Sequence, residues 1–190
     1  MKKFLLFIIP LTLCLVSCSS EKEFTNQTDT LLLQLNSSIN TDTLTNIAKL
    51  INTSDSRSSL NDSICKDILT PMIEDGKLVQ EQIIKQYADY QDNGYNITNE
   101  DIEFIQDLTE DELAMLSFIA CNLNETPQSR ANVMSCLGVA TGLTAIRELS
   151  VGGIVSAATV RQALLAIGKR YLGYIGVAVM VYEFVECING

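Results

Sequence analysis

Six cysteines and no histidine set the side-chain chemistry open to this chain. Without imidazole there is no Ser-His-Asp triad, no Cys-His dyad and no His-based zinc site. The cysteines stand at positions 14, 18, 65, 121, 136 and 187, and no Cys-x-x-Cys occurs. No Gly-x-Ser-x-Gly is present. Gly76-Lys77 and Gly168-Lys169 lack both the earlier glycine and the following Ser or Thr of a phosphate-binding loop. Glu110, Asp111 and Glu112 are the densest run of carboxylates. Consecutive residues point in different directions on a helix, so a solvated helix start accounts for them better than an acid/base pair does. No catalytic constellation and no cofactor motif emerge, and the expectation is a protein that is not an enzyme.

The cysteine with the clearest chemistry is Cys18. Met1-Lys2-Lys3 is a short positive start, and Phe4 to Val16 is apolar apart from Pro10 and Thr12. The run falls short of the ~20 apolar residues a membrane-spanning helix needs and suits a cleaved export signal. It ends Leu15-Val16-Ser17-Cys18, which resembles the lipobox of bacterial lipoproteins. The resemblance implies that Cys18 receives a diacylglycerol, that residues 1–17 are removed, and that the new amine is acylated. Several acyl chains, at about 0.8 kcal/mol per buried methylene, anchor a protein stably in a membrane. Ser19 is not the Asp that marks inner-membrane retention in many Gram-negative lipoproteins, so the outer membrane is the expected address. Ser19-Ser20-Glu21-Lys22-Glu23 loosely resembles the acidic stretch that sends some lipoproteins to the cell surface, and a solvated linker would look the same.

Cys14 leaves with the leader. Cys65, Cys121, Cys136 and Cys187 remain, an even number that in an oxidising envelope reads as two disulfides. Sequence leaves the pairing open. Pairing within each half predicts Cys65–Cys121 and Cys136–Cys187, with Cys121–Cys136 as the competing short loop.

The segment Asp89 to Glu100 has Asp first, Gly94 sixth and Glu last, and so resembles an EF-hand calcium loop. It departs from that pattern at Gln91 and Asn93, which are neutral, and at Asn96, where an aliphatic residue normally packs. A helix stop at Gly94 and a new start at Thr98 explain the same residues without a metal. The expectation is no metal site.

These residues sit on a chain with a marked internal asymmetry. Formal net charge is −10, and becomes −12 once Lys2 and Lys3 are lost. Residues 19–131 hold seven Lys or Arg against twenty Asp or Glu, whereas residues 132–190 hold four against three and contain eight of the ten glycines. So acidic a chain is not expected to bind nucleic acid, which needs Lys and Arg at the phosphates. The shift suggests a leader at 1–17, a lipidated tether with short helices at 18–60, an acidic helical region at 61–126 and a Gly-rich apolar tail at 127–190.

No stretch alternates with period two, so almost no strand is expected. Ile64, Ile68, Met72 and Ile73 lie near helical spacing after a start at Asp62 or Ser63. Gly76 predicts a break. Val79, Ile83, Ile84 and Tyr87 then predict a helix ending at Asn93-Gly94. Thr98-Asn99-Glu100-Asp101 is close to a capping box, and Thr109-Glu110-Asp111-Glu112 fits one fully. Thr126-Pro127 opens a helix reaching about Leu149. Gly152-Gly153 breaks it, and two further helices run roughly 155–169 and 171–188. Gly138 and Gly142, four apart, allow close backbone approach. The fold class expected is all-α, a helical bundle with a Gly-rich C-terminal helical hairpin buried in the protein rather than in a membrane.

The functional expectation is a lipid-anchored cell-envelope protein with a non-enzymatic binding or structural role, meeting the membrane through its anchor. The sequence names no protein partner. The alternative is a membrane-active protein, since the tail resembles Gly-rich helical peptides of the bacteriocin type in composition.

Overall fold

A computed structural model describes residues 31–53, 60–94, 99–123, 135, 136, 138 and 154–190. Cys18 and the leader lie outside these residues, as do most of the expected 126–149 helix and Gly142. Among the described residues the protein is all-α, with one two-stranded ribbon. The chain enters through an extended segment in which Leu31, Leu33 and Leu35 are buried. Its centre is β1 (Leu32–Gln34). α1 (Thr41–Thr53) follows, opened by Asn40, whose side chain accepts from the Thr43 amide at 2.9 Å. Leu44, Ile47, Ala48 and Ile51 form its buried stripe.

α2 (Asp62–Asp92) is 31 residues long and runs through Pro71 and Gly76 without a break. Its cap is Asn61, one residue before the expected start, and the Asn61 side chain accepts from the Ile64 amide. Pro71 leaves the Asp67 carbonyl without its helical donor, but both residues are exposed to water. The break expected at Gly76 does not occur, because this glycine serves a contact. A Cβ there would lie 2.0 Å from the Leu113 carbonyl oxygen. The missing side chain lets α2 meet α4 (Glu110–Leu123) backbone to backbone. α2 ends where the sequence predicts, with Asn93 at the cap and Gly94 at φ 81.

α3 (Glu100–Gln106) is a short link. α4 is the centre of the bundle, and every residue from Leu113 to Leu123 is buried. Thr109 forms half of the expected capping box. Its amide donates to Glu112 at 2.9 Å, while its hydroxyl is shared between the Asp111 and Glu112 carboxylates rather than accepting from the helix.

Ser135, Cys136 and Gly138 are helical. β2 (Ile154–Ser156) pairs antiparallel with β1, Leu33 opposite Val155. The other edge of β1 is covered by side chains. Gln86 donates to the Gln34 carbonyl and accepts from the Gln34 amide, and Gln82 does the same for Asn36. Two amides one helical turn apart thus stand in for a third strand.

α5 (Ala157–Arg170) is capped by Ser156, and α6 (Gly173–Asn189) closes the chain. Both fall where the tail helices are expected. They meet at 101° and so turn a corner instead of running back on each other. Tyr171 and Leu172 are extended and Gly173 takes φ 67, and these conformations set the angle of the joint. α6 packs on α1, α2 and α4, and Phe184 meets Phe118 edge to face with centroids 4.9 Å apart. The charge boundary near residue 127 therefore does not divide the core. One cluster of buried residues includes Leu33, Leu44, Met72, Phe118, Val160 and Phe184.

Candidate functional site

Among the described residues, the most highly connected polar group is the carboxylate of Asp75, on α2 beside the glycine contact. It is buried and makes no ion pair among the described residues. One of its oxygens accepts from the Ser38 amide and hydroxyl at 2.7 and 2.6 Å, and the other from the Ser37 and Ser117 hydroxyls at 2.6 and 2.7 Å. Burial pushes its pKa up, but the four donors outweigh burial and hold it below the ordinary carboxylate value. A carboxylate whose lone pairs are all engaged and whose proton affinity is lowered is a poor general base. Its work is to pin the entering segment and α4 onto α2. The sequence reading missed it, because its partners come from 37 residues earlier and 42 later.

The four described cysteines divide into one bond and two thiols. Cys136 and Cys187 are joined, closing a span of 51 residues. Cys65 and Cys121 are buried thiols, and the expected Cys65–Cys121 bridge is not formed. Both sit within the hydrophobic cluster, where cysteine packs as a small apolar side chain. Burial, with a smaller contribution from Asp62, raises the Cys65 pKa, which makes this thiol a weak nucleophile.

The expected calcium loop is described only in part, since residues 95–98 lie outside the described set. In the described part Asn93 turns back to cap α2, donating to the Asp89 carbonyl at 2.7 Å. Among the described residues no group of three or more potential metal ligands comes together.

Glu110, Asp111 and Glu112 do fan out around the first turn of α4. Glu110 accepts from Lys66 and from the Tyr174 hydroxyl, joining the starts of α2, α4 and α6. The Lys66 hydrogen bond and then Tyr174 lower the Glu110 pKa, and the same bond raises that of Lys66. Asp111 and Glu112 turn toward an open groove of about 260 Å³ between α4 and α5. Met115, Leu164, Leu165 and Leu172 give it an apolar lining, and Lys169 and Tyr171 complete it.

No protein-family model, curated protein or solved structure matches this chain. The groove runs onto the α5–α6 corner, where Leu172 is 78% exposed and Leu165 42%. Lys169 and Arg170 are exposed beside them. Arg170 stacks over Tyr171 and lies 3.7 Å from Glu183. The Tyr171 hydroxyl donates to Glu183 at 2.6 Å, and burial followed by this bond pushes its pKa up to about 12. The corner is thus rigidly built, yet it presents bare leucine to solvent. A sequence signal was available: an apolar residue placed in a helix break straight after Lys169-Arg170, where polar residues are the norm.

Proposed function

We propose that this chain is a lipid-anchored protein of the bacterial cell envelope that works by binding rather than by catalysis. The anchor rests on Leu15-Val16-Ser17-Cys18 at the end of an apolar leader. The outer membrane is the proposed address. The observation that carries the binding role is the groove between α4 and α5. It is apolar at its base, flanked by Asp111, Glu112 and Lys169, and continuous with exposed leucines. The polar groups with the richest chemistry are committed elsewhere, Asp75 to four internal donors and Glu110 to Lys66 and Tyr174.

The alternative is membrane activity through the tail. What favours it is that α5 and α6 together have the length and composition of a broken span, although no single described helix is long and apolar enough to cross a membrane. Against it, α6 gives Met180, Val181 and Phe184 to the core, so withdrawing it would dismantle the bundle. Cys18→Ala is expected to abolish labelling by a fatty-acid analogue and to release the protein from the membrane fraction. Labelling that survives the substitution refutes the anchor. Dye release from vesicles by the whole protein at micromolar concentration would shift the reading to the alternative.

A further inference from the structure

We propose that the α5–α6 corner is the face that rests on a phospholipid bilayer, with Leu172 entering the acyl boundary and Lys169 meeting headgroup phosphates. The inference deepens the anchored reading and rests on it, since it says which way the tethered body faces. Three observations carry it.

The first is shape. Two helices leaving a short joint at 101° make a vertex, and Leu172 at that joint is the most exposed large apolar side chain among the described residues. A protein partner would need a matching hollow for such a point, whereas a bilayer needs none. The second is arrangement. Leu165 and Ile175 stand on the two helices flanking the joint, both partly exposed, and Lys169 lies between Leu165 and Leu172 in sequence. An apolar tip with a lysine one turn away is a pattern of side chains that sit at the headgroup boundary. The third is reach. Residues 18–30 separate Cys18 from the first described residue, and these roughly thirteen residues can span up to about 45 Å. A domain of this size has a radius of gyration of only about 16 Å, so the tether allows any face to reach the membrane.

The charges around the corner limit its strength. Asp111, Glu112 and Glu183 all lie nearby and oppose phosphate, and Glu183 already engages Arg170. Three partly exposed apolar side chains do not hold a protein whose net charge is −12 without Lys2 and Lys3 at a surface unaided. Once a tether supplies a high effective concentration, a weak contact suffices to select one orientation. The corner sets orientation, and the anchor supplies affinity.

The chain holds no Trp and no His, which makes the test direct. Residues 18–190, which include every described contact, carry an N-terminal hexahistidine tag and are captured on phosphatidylcholine vesicles doped with nickel-chelating lipid. Capture does not depend on acylation, so failure of the corner is separable from failure of the anchor, which the Cys18→Ala labelling reads. Leu172→Trp is the reporter. Leu32→Trp is the control: Leu32 is 51% exposed on the ribbon that leads into the opposite end of α5, roughly 20 Å from the corner at about 1.5 Å per residue. With brominated lipid in the vesicles, the indole emission of the Leu172→Trp protein should fall at least about twofold and shift to the blue. That of the Leu32→Trp protein should stay unchanged. Adding Lys169→Glu to the reporter should weaken its quenching. Equal quenching of reporter and control, or no quenching of the reporter, overturns the proposal. A blue shift of the reporter without vesicles that grows with protein concentration also overturns it, and assigns the corner to contact between copies of the chain.

Discussion

The same substitution, glycine to alanine, should have opposite signs at two helical positions. In α5, Gly168 has nothing within 4 Å of where a Cβ would stand. Alanine there gains helix propensity and narrows the unfolded ensemble, and should stabilise by about 0.5–1 kcal/mol. In α2, Gly76 has the same intrinsic preference, but its Cβ would lie 2.0 Å from the Leu113 oxygen and 2.6 Å from the carbonyl carbon. Those atoms are backbone inside a buried helix, so relief requires α2 and α4 to part by about 1 Å. A gap of that size forfeits roughly a quarter to a half of the dispersion energy of the contacts it opens. Overpacking in cores typically costs about 1–3 kcal/mol, and a backbone clash sits at the upper end. Subtracting the propensity gain leaves a net loss of about 2 kcal/mol, or a fall in Tm of about 4–8 °C for a chain of this size. Urea unfolding of both variants measures the pair, with unchanged slopes showing that native stability is what moved. If Gly76→Ala stabilises as Gly168→Ala does, the argument for a backbone contact between α2 and α4 is refuted.

Asp75→Ala should cost about 2–3 kcal/mol in denaturant unfolding, because it leaves the buried Ser117 hydroxyl without its acceptor and unties Ser37 and Ser38 from α2. Since the folded pKa of Asp75 lies below its unfolded value, its stabilisation is complete above about pH 4 and is lost as pH falls through the folded value. Stability should therefore drop less steeply below about pH 4 in Asp75→Asn than in the parent protein. Reducing the Cys136–Cys187 bond, which closes 51 residues, should destabilise by about 4 kcal/mol in the chain-entropy picture. Non-reduced peptide mapping should yield that linked pair alone, and a Cys65–Cys121 peptide would contradict the structure. Calorimetry with calcium should show no binding below the millimolar range, and a micromolar site lost on Asp89→Ala would reverse that expectation.

Sequence reasoning reached the features that are local. The stop at Asn93-Gly94, the start at Thr109 and the apolar stripe of Val79, Ile83 and Tyr87 on α2 depend on residues a few positions apart, and capping patterns and periodicity expose them. It failed where meaning comes from a distant partner. Gly76 looks like a break because glycine weakens a helix, and only Leu113 explains it. Asp75 looks like one solvated acid among many until Ser37, Ser38 and Ser117 close around it. The corner was missed for a different reason: its helices were expected, but the angle between them depends on the particular conformations of Tyr171, Leu172 and Gly173. Cys65 and Cys121 show that an even count of cysteines does not by itself imply pairing when the core has room for small apolar groups.

The ribbon has a consequence for the order of folding. Leu33 is made early and Val155 late, about 120 residues apart, and such long loops close slowly. Until β2 arrives, β1 is a leucine-rich strand with an open edge, the kind of element that pairs with whichever chain is near. Gln82 and Gln86 lie 46 and 52 residues from their partners in the entering segment, so the loops they close are much shorter. With those amides on one edge of β1, only the edge that faces residues 154–156 is left to pair with another chain.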